Sequence, residues 1–190
     1  NYADKIGITI FSSPFDRTAV DLLEDLNAPA YKIASFEAID LPLIEYVAQT
    51  GKPVIISTGM ADADEIEEAI VAAKDAGCKE LAILHCVSGY PAPPEDYNLN
   101  TILELRRRFG LVTGLSDHTL DNNTAIASVA LGASIIEKHF TLNRSGGGPD
   151  DSFSLEPKEM NNLCYGANVA WSALGKINFS RKPSEKANIQ

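Results

Sequence analysis

Along the chain, short apolar runs rich in β-branched residues alternate with longer stretches whose apolar positions recur three and four apart. "IGITIF", "AYKIAS", "PVIIST", "LAILHC", "LVTGLS" and "SIIEKHF" are runs of the first kind. Such runs predict strands buried on both faces, as in a parallel sheet. "DRTAVDLLEDLN", "DLPLIEYVAQTG", "DADEIEEAIVAAKDAG", "NLNTILELRRRFG" and "DNNTAIASVALG" are of the second kind. In the third of these, acidic residues crowd the first turn, Ile66, Ala69, Ile70 and Ala73 form a stripe, and Gly77 closes it. That is the grammar of an amphipathic helix. Several of the stretches open on a capping Asp or Asn and end on Gly or Asn. A further helix is expected after Ser154, whose hydroxyl can cap it.

Six strands alternating with six helices predict a parallel sheet wrapped by helices. An open doubly wound sheet and a closed (β/α)8 TIM barrel share that pattern. No GxGxxG or GxxxxGK[ST] follows a strand, which weighs against the nucleotide-binding version. Polar residues instead gather where the strands end: Ser12 and Ser13, Ser35 and Glu37, Ser57 and Thr58, His85 to Ser88, Ser116 to His118, and His139. In a barrel those ends meet on one face around one axis, whereas an open sheet spreads them along a line. The expected fold is therefore α/β, a TIM barrel represented by about six of its eight units.

Composition narrows the setting. The 190 residues suffice for one domain with a sizeable core. The chain starts at Asn1 without a charged-then-apolar leader, so it reads as a piece of a longer protein. "TAIASVALGASII" falls short of the ~20 residues of a membrane span. Three cysteines without a CxxC spacing suggest a reducing, cytoplasmic setting. The net charge is −10, and the basic run Arg106 to Arg108 reads as a solvated helix end, so no nucleic-acid partner is expected. An anionic ligand then needs a locally positive site.

His118 and His139 end consecutive strands. Neighbouring parallel strands lie ~4.8 Å apart, so two imidazoles at matching heights can reach one cation. Either histidine alone would more often be a satisfied core or capping residue; the matched pair in neighbouring strands favours a metal. Two imidazoles with water near a carboxylate such as Glu37 suit Mn²⁺, Fe²⁺, Co²⁺ or Zn²⁺, although Glu37 could equally be a solvated loop residue. Ser116 shares His118's strand parity, and Glu137 shares that of His139. Lys32, Ser35, Ser57, Ser88 and Ser116 could supply converging donors to a phosphate, with Lys32 on the opposite strand parity to Ser35 and Glu37. "LNRSGGGPDDSFSLEP" and "CVSGYPAPPEDYN" are loops beside this site. Asp150 and Asp151 could accept from sugar hydroxyls, and Tyr90 could offer a flat face with a polar tip.

Six blocks in order, "YKIASFEAIDLPLI", "KPVIISTGMA", "LHCVSGYPAP", "GLSDHT", "IEKHFTL" and "GGPDDSFSLEP", closely resemble the sialic acid synthases. These enzymes condense phosphoenolpyruvate with an N-acylated amino sugar. The resemblance implies a C–C bond-forming transferase in which His118 and His139 hold a divalent metal, Mn²⁺ or Mg²⁺. Lys32, Ser35, Ser57 and Ser116 would hold phosphoenolpyruvate, Glu37 would act near the metal and attacking water, and Tyr90 and Asp150 would contact the open-chain sugar. Ser88 stands where neuraminate-forming members carry asparagine, and Asp151 where they carry histidine. The "GGPDDSFSLEP" form is most similar to members that make pseudaminic acid from 2,4-diacetamido-2,4,6-trideoxy-L-altrose; neuraminate or legionaminate synthesis is the alternative. A different metal-dependent barrel aldolase and a non-enzymatic sugar-phosphate binding domain are further readings. The resemblance also implies that residues 1–176 lack two initial β/α units and that 177–190 begin a linker to an antifreeze-like (SAF) domain. It further implies a domain-swapped homodimer for the full-length protein.

Overall fold

The computed structural model describes residues 2–188. Five parallel strands form one sheet: β1 (Tyr31–Ile33), β2 (Val54–Ser57), β3 (Leu81–Cys86), β4 (Val112–Asp117) and β5 (Ile135–Lys138). The helices are α1 (Tyr2–Ile6), α2 (Arg17–Asp25), α3 (Leu41–Ala48), α4 (Ala63–Asp75), α5 (Thr101–Phe109), α6 (Asn123–Ala130) and α7 (Pro157–Leu174). Among the described residues, no helix is long and apolar enough to cross a membrane. Asn1, from which an excised piece was read, and the last two residues of the expected linker, Ile189 and Gln190, lie outside the described residues.

Spatial strand order equals sequence order, β1-β2-β3-β4-β5. An order that never reverses has no topological switch point and is that of a barrel. Curvature agrees. A flat sheet would hold β1 and β5 about 19 Å apart, beyond the combined reach of a lysine and a glutamate. Yet Lys32 Nζ on β1 donates to Glu137 Oε1 on β5 at 3.1 Å. The sheet is rolled into part of a TIM barrel, with these side chains on its concave face.

The convex face carries the apolar core. Tyr31, Ile33, Val54, Ile56 and Ile83 pack with Ile44, Val47 and Ile70 of α3 and α4. Leu115 packs with Tyr97, Ile102, Ala125 and Leu163. Each such aliphatic burial is worth about 1.5–3 kcal/mol. Helix starts follow the sequence: Asp16 and Asp40 accept from Ala19 N and Leu43 N, and Asp62 forms a reciprocal capping box with Glu65. The basic run is a paired helix end, with Arg107 on Glu104 and Arg108 on Glu67.

Two expectations are corrected. "IGITIF" is not a strand: Ile6 ends α1, and the segment after it meets the sheet only through the single bridge Ser12↔Tyr31. The three-residue β1 offers too short a ladder, and Ile8, Ile10 and Phe11 stay exposed. Ser154 does not cap α7; its hydroxyl donates to Asp150 O at 2.7 Å. Glu156 is the N-cap, in a reciprocal box with Glu159, and Pro157 suits the first turn, where its missing N–H costs nothing.

Gly114 marks a close approach of neighbouring strands in the inner layer. A Cβ there would lie 2.4 Å from Ile135 O and 2.6 Å from Leu84 Cδ2. Because the first of these is backbone of the neighbouring strand, Gly114→Ala is expected to cost about 1–3 kcal/mol, read as a lower urea midpoint. An unchanged midpoint would contradict this packing.

Candidate active site

The concave face is built in levels set by register. Cys86, Ser116 and Glu137 are partners across β3, β4 and β5. Glu137 Oε1 accepts from Ser116 Oγ at 2.7 Å and from Lys32 Nζ at 3.1 Å. Lys32 thus reaches the site despite its parity, and the physical reason is local. Ser35 and Glu37 belong to a 3-10 turn that follows β1, so strand parity does not govern them. Ser35 Oγ donates to Cys86 Sγ at 3.2 Å, joining this level.

Above it stand the imidazoles. The rings of His118 and His139 are 5.3 Å apart, and Tyr90 lies 4.2 Å from the first and 5.8 Å from the second. Phe153, from the loop after β5, closes over His139 at 5.0 Å. His118 Nδ1 lies 2.7 Å from Val87 O. A carbonyl can only accept, so Nδ1 carries the proton and Nε2 keeps its lone pair, the state of a metal-ligating histidine. The His118 N–H donates to Tyr97 Oη at 2.6 Å, which fixes the backbone there as well. His139 Nδ1 is 3.5 Å from Asp150 Oδ2. Burial lowers the pKa of both histidines, and for His139 the neighbouring His118 adds to the effect.

A cavity of about 360 Å³ is lined by Lys32, Ser35, Ser57, Tyr90, Ser116, His118, Glu137 and His139, among others. A larger cleft of about 820 Å³, between residues 7–12 and the end of α2, carries none of these groups. Glu37 and Ser88 stand outside the cavity lining, but each has a buried oxygen without a hydrogen-bond partner, as does Ser57 Oγ. Burial raises the Glu37 pKa. Asp150 faces His139 from a half-exposed position, while Asp151 holds the loop by accepting from Gly148 N at 2.8 Å. His85 is not at the site; its ring packs edge-on against Tyr97 and its Nε2 contacts Tyr97 O.

The sequence assigned no role to two participants. Glu137 is the acceptor at the centre of the inner level, and its alternation with His139 was the signal for it. Gly59 lets the turn after β2 close on the site: a Cβ there would lie 2.2 Å from Ser35 Cβ and 3.0 Å from Ser88 Oγ. Its φ of +46° suits glycine. A cation would find two neutral imidazoles and, among the described residues, no cluster of three or more His, Cys, Asp or Glu side chains. The donor set fits an open site that leaves positions for water or substrate oxygens.

Part of a barrel with a histidine pair, a lysine and several hydroxyls gathered at its strand ends is the arrangement of a barrel-enzyme scaffold. The family follows: residues 1–179 match the NeuB family, and the chain belongs to it. It is 46% identical over 185 residues to an uncharacterized protein of Methanocaldococcus jannaschii, covering 97% of this chain and 55% of that protein. It is 44% identical over 174 residues to the pseudaminic acid synthase of Helicobacter pylori, covering 92% and 51%. Identity to the N,N'-diacetyllegionaminic acid synthase of Campylobacter jejuni is 42% over 190 residues, covering 99% and 57%. The chain thus spans about half the length of these relatives. The crystal structure of an N-acetylneuraminic acid synthetase from Leptospira borgpetersenii superposes with a TM-score of 0.91 at 35% identity, covering 98% of this chain and 65% of that one.

Both imidazoles are expected to titrate below the ordinary 6.5. The unfolded chain takes up protons on these histidines near 6.5, the folded chain only lower. Their contribution to stability is therefore full above the unfolded value and lost as pH falls through the folded one. Ring-proton NMR against pH checks this, and a midpoint at or above 6.5 for either histidine refutes it. Asp150→Asn should move His139 lower still, since the Asp150 carboxylate raises its value.

Proposed function

We propose that the full-length protein condenses phosphoenolpyruvate with 2,4-diacetamido-2,4,6-trideoxy-L-altrose to give pseudaminic acid and phosphate. The observation that carries the reading is one cavity in which an ammonium and three hydroxyls (Lys32, Ser35, Ser57, Ser116) stand beside two neutral imidazoles. Relatives named for nonulosonic acid synthesis support it.

Lys32 and the hydroxyls would bind the phosphate and carboxylate of phosphoenolpyruvate through charge-assisted hydrogen bonds. Ser57 Oγ, buried without a partner, has a hydrogen bond to give. Tyr90 and Asp150 would flank the open-chain sugar, with Phe153 excluding water. His118 and His139 would hold a divalent cation such as Mn²⁺ or Mg²⁺, which when bound polarises the sugar aldehyde. C3 of phosphoenolpyruvate then forms the new bond to the aldehyde carbon, and the aldehyde oxygen takes up a proton. Water adds at C2 and gives up one proton; the C2–O bond to phosphate then breaks as the new C2 hydroxyl becomes the ketone, its proton leaving with the phosphate. Glu37, at the turn after β1, would accept the water's proton, and its raised pKa suits proton transfer.

Identities of 44% and 42% to a pseudaminic and a legionaminic synthase make the sugar the quantity to test. Phosphate release by the full-length protein should be measured with the altrose sugar and with N-acetylmannosamine, each with Mn²⁺ and with chelator. Chelator-sensitive release with the first sugar alone is expected. Release only with the second would move the protein to the neuraminate branch, and silence with both would favour an aldolase or a binding domain. His118→Ala should lower kcat at least about a hundredfold while leaving the fold intact, because His118 stands apart from the convex core.

A further inference from the structure

Each histidine of the pair is preceded by a charged residue of opposite sign: Asp117 before His118, Lys138 before His139. These two are register partners across β4 and β5. By strand alternation they point to the face opposite the imidazoles. There they form an ion pair at 2.8 Å, with side chains 0% and 2% exposed. Lys138 Nζ also donates to Thr119 O at 2.5 Å, Thr119 Oγ1 at 3.2 Å and Asp121 O at 2.8 Å. Asp117 Oδ1 accepts from Thr119 N at 2.8 Å. The backbone on both sides of His118 is thereby tied to the residue before His139.

A buried ion pair is an expensive way to hold two strands, because an apolar pair of the same volume does so at least as well. What the pair adds is registry. A slip of one residue between β4 and β5 would leave a buried ammonium and a buried carboxylate without counter-charges, and would turn a histidine to the other face. We infer that Asp117 and Lys138 are positioning residues that hold His118 and His139 at the spacing a shared cation needs. The inference rests on the proposed role of the two histidines and adds to it the device that places them.

The test uses the full-length protein. Lys138→Met strands the Asp117 carboxylate, so it is compared with the double variant Asp117→Asn/Lys138→Met, which removes both charges and keeps the acceptor for Thr119 N–H. Four quantities are read: cooperative thermal unfolding, Mn²⁺ affinity from titration of free Mn²⁺, the kcat and KM for phosphoenolpyruvate, and the cross-ring NOE between His118 and His139 without metal. A double variant that unfolds cooperatively, binds Mn²⁺ about tenfold or more weakly, loses kcat, keeps its KM and lacks the NOE supports the inference. Wild-type Mn²⁺ affinity and NOE in that variant would overturn it. So would failure of the double variant to fold, because the pair would then hold the sheet and not the histidines. If the wild-type protein binds no Mn²⁺ yet shows an NOE that the double variant loses, the positioning role stands and the proposed function falls.

Discussion

The parallel register between β4 and β5 is the constraint on which the concave face depends. Register partners in a parallel pair share a face and stand about 4.8 Å apart. Ser116 therefore meets Glu137, and the histidines that follow two residues later on each strand meet at a ring separation of 5.3 Å. Lys32 adds a second constraint from the far side. It reaches Glu137 only because the sheet is rolled, so curvature and chemistry are tied through one hydrogen bond.

The two faces divide the work. The two large apolar clusters sit on the convex side, between strands and helices, while Ala82 and Leu84 are buried on the concave side beneath its polar groups. Ser57, Ser88 and Glu37 each keep a buried oxygen without a partner. A group of that kind costs about 1–3 kcal/mol. Such departures from full satisfaction are characteristic of binding sites, where a ligand completes the set.

Much of this was legible because barrel strands and their ends follow simple periodicities. The five strands that form ladders, the helix caps at Asp16, Asp40 and Asp62, and the histidine pair all follow from pattern and spacing. The misses have physical causes. "IGITIF" has the composition of a strand, but strand formation depends on a neighbour's ladder, and β1 is too short to supply one. Ser154 has the chemistry of a cap, yet Glu156 beside Pro157 competes better at that boundary. His85 ends a strand like the others but falls on the helix-facing side, where parity would have put it. Gly59 and the backbone of Val87 act without functional side chains, so no motif of reactive residues points to them.

The loop after β5 does not simply leave the site. Leu155 returns beside Phe140, its N–H donating to His139 O and its carbonyl accepting from Thr141 N, both at 2.9 Å. The segment between is a hoop pinned at its base by these main-chain bonds and by Arg144, which donates to Ser154 O and Glu159. Residues 145–153, which carry Asp150 and Phe153 beside His139, lie between these anchors, so they could be exchanged as a cassette while the strand that bears His139 stays where it is. Under the proposed function, the side chains that would select the sugar are thus held mechanically apart from those that would react, and one could diversify without unseating the other.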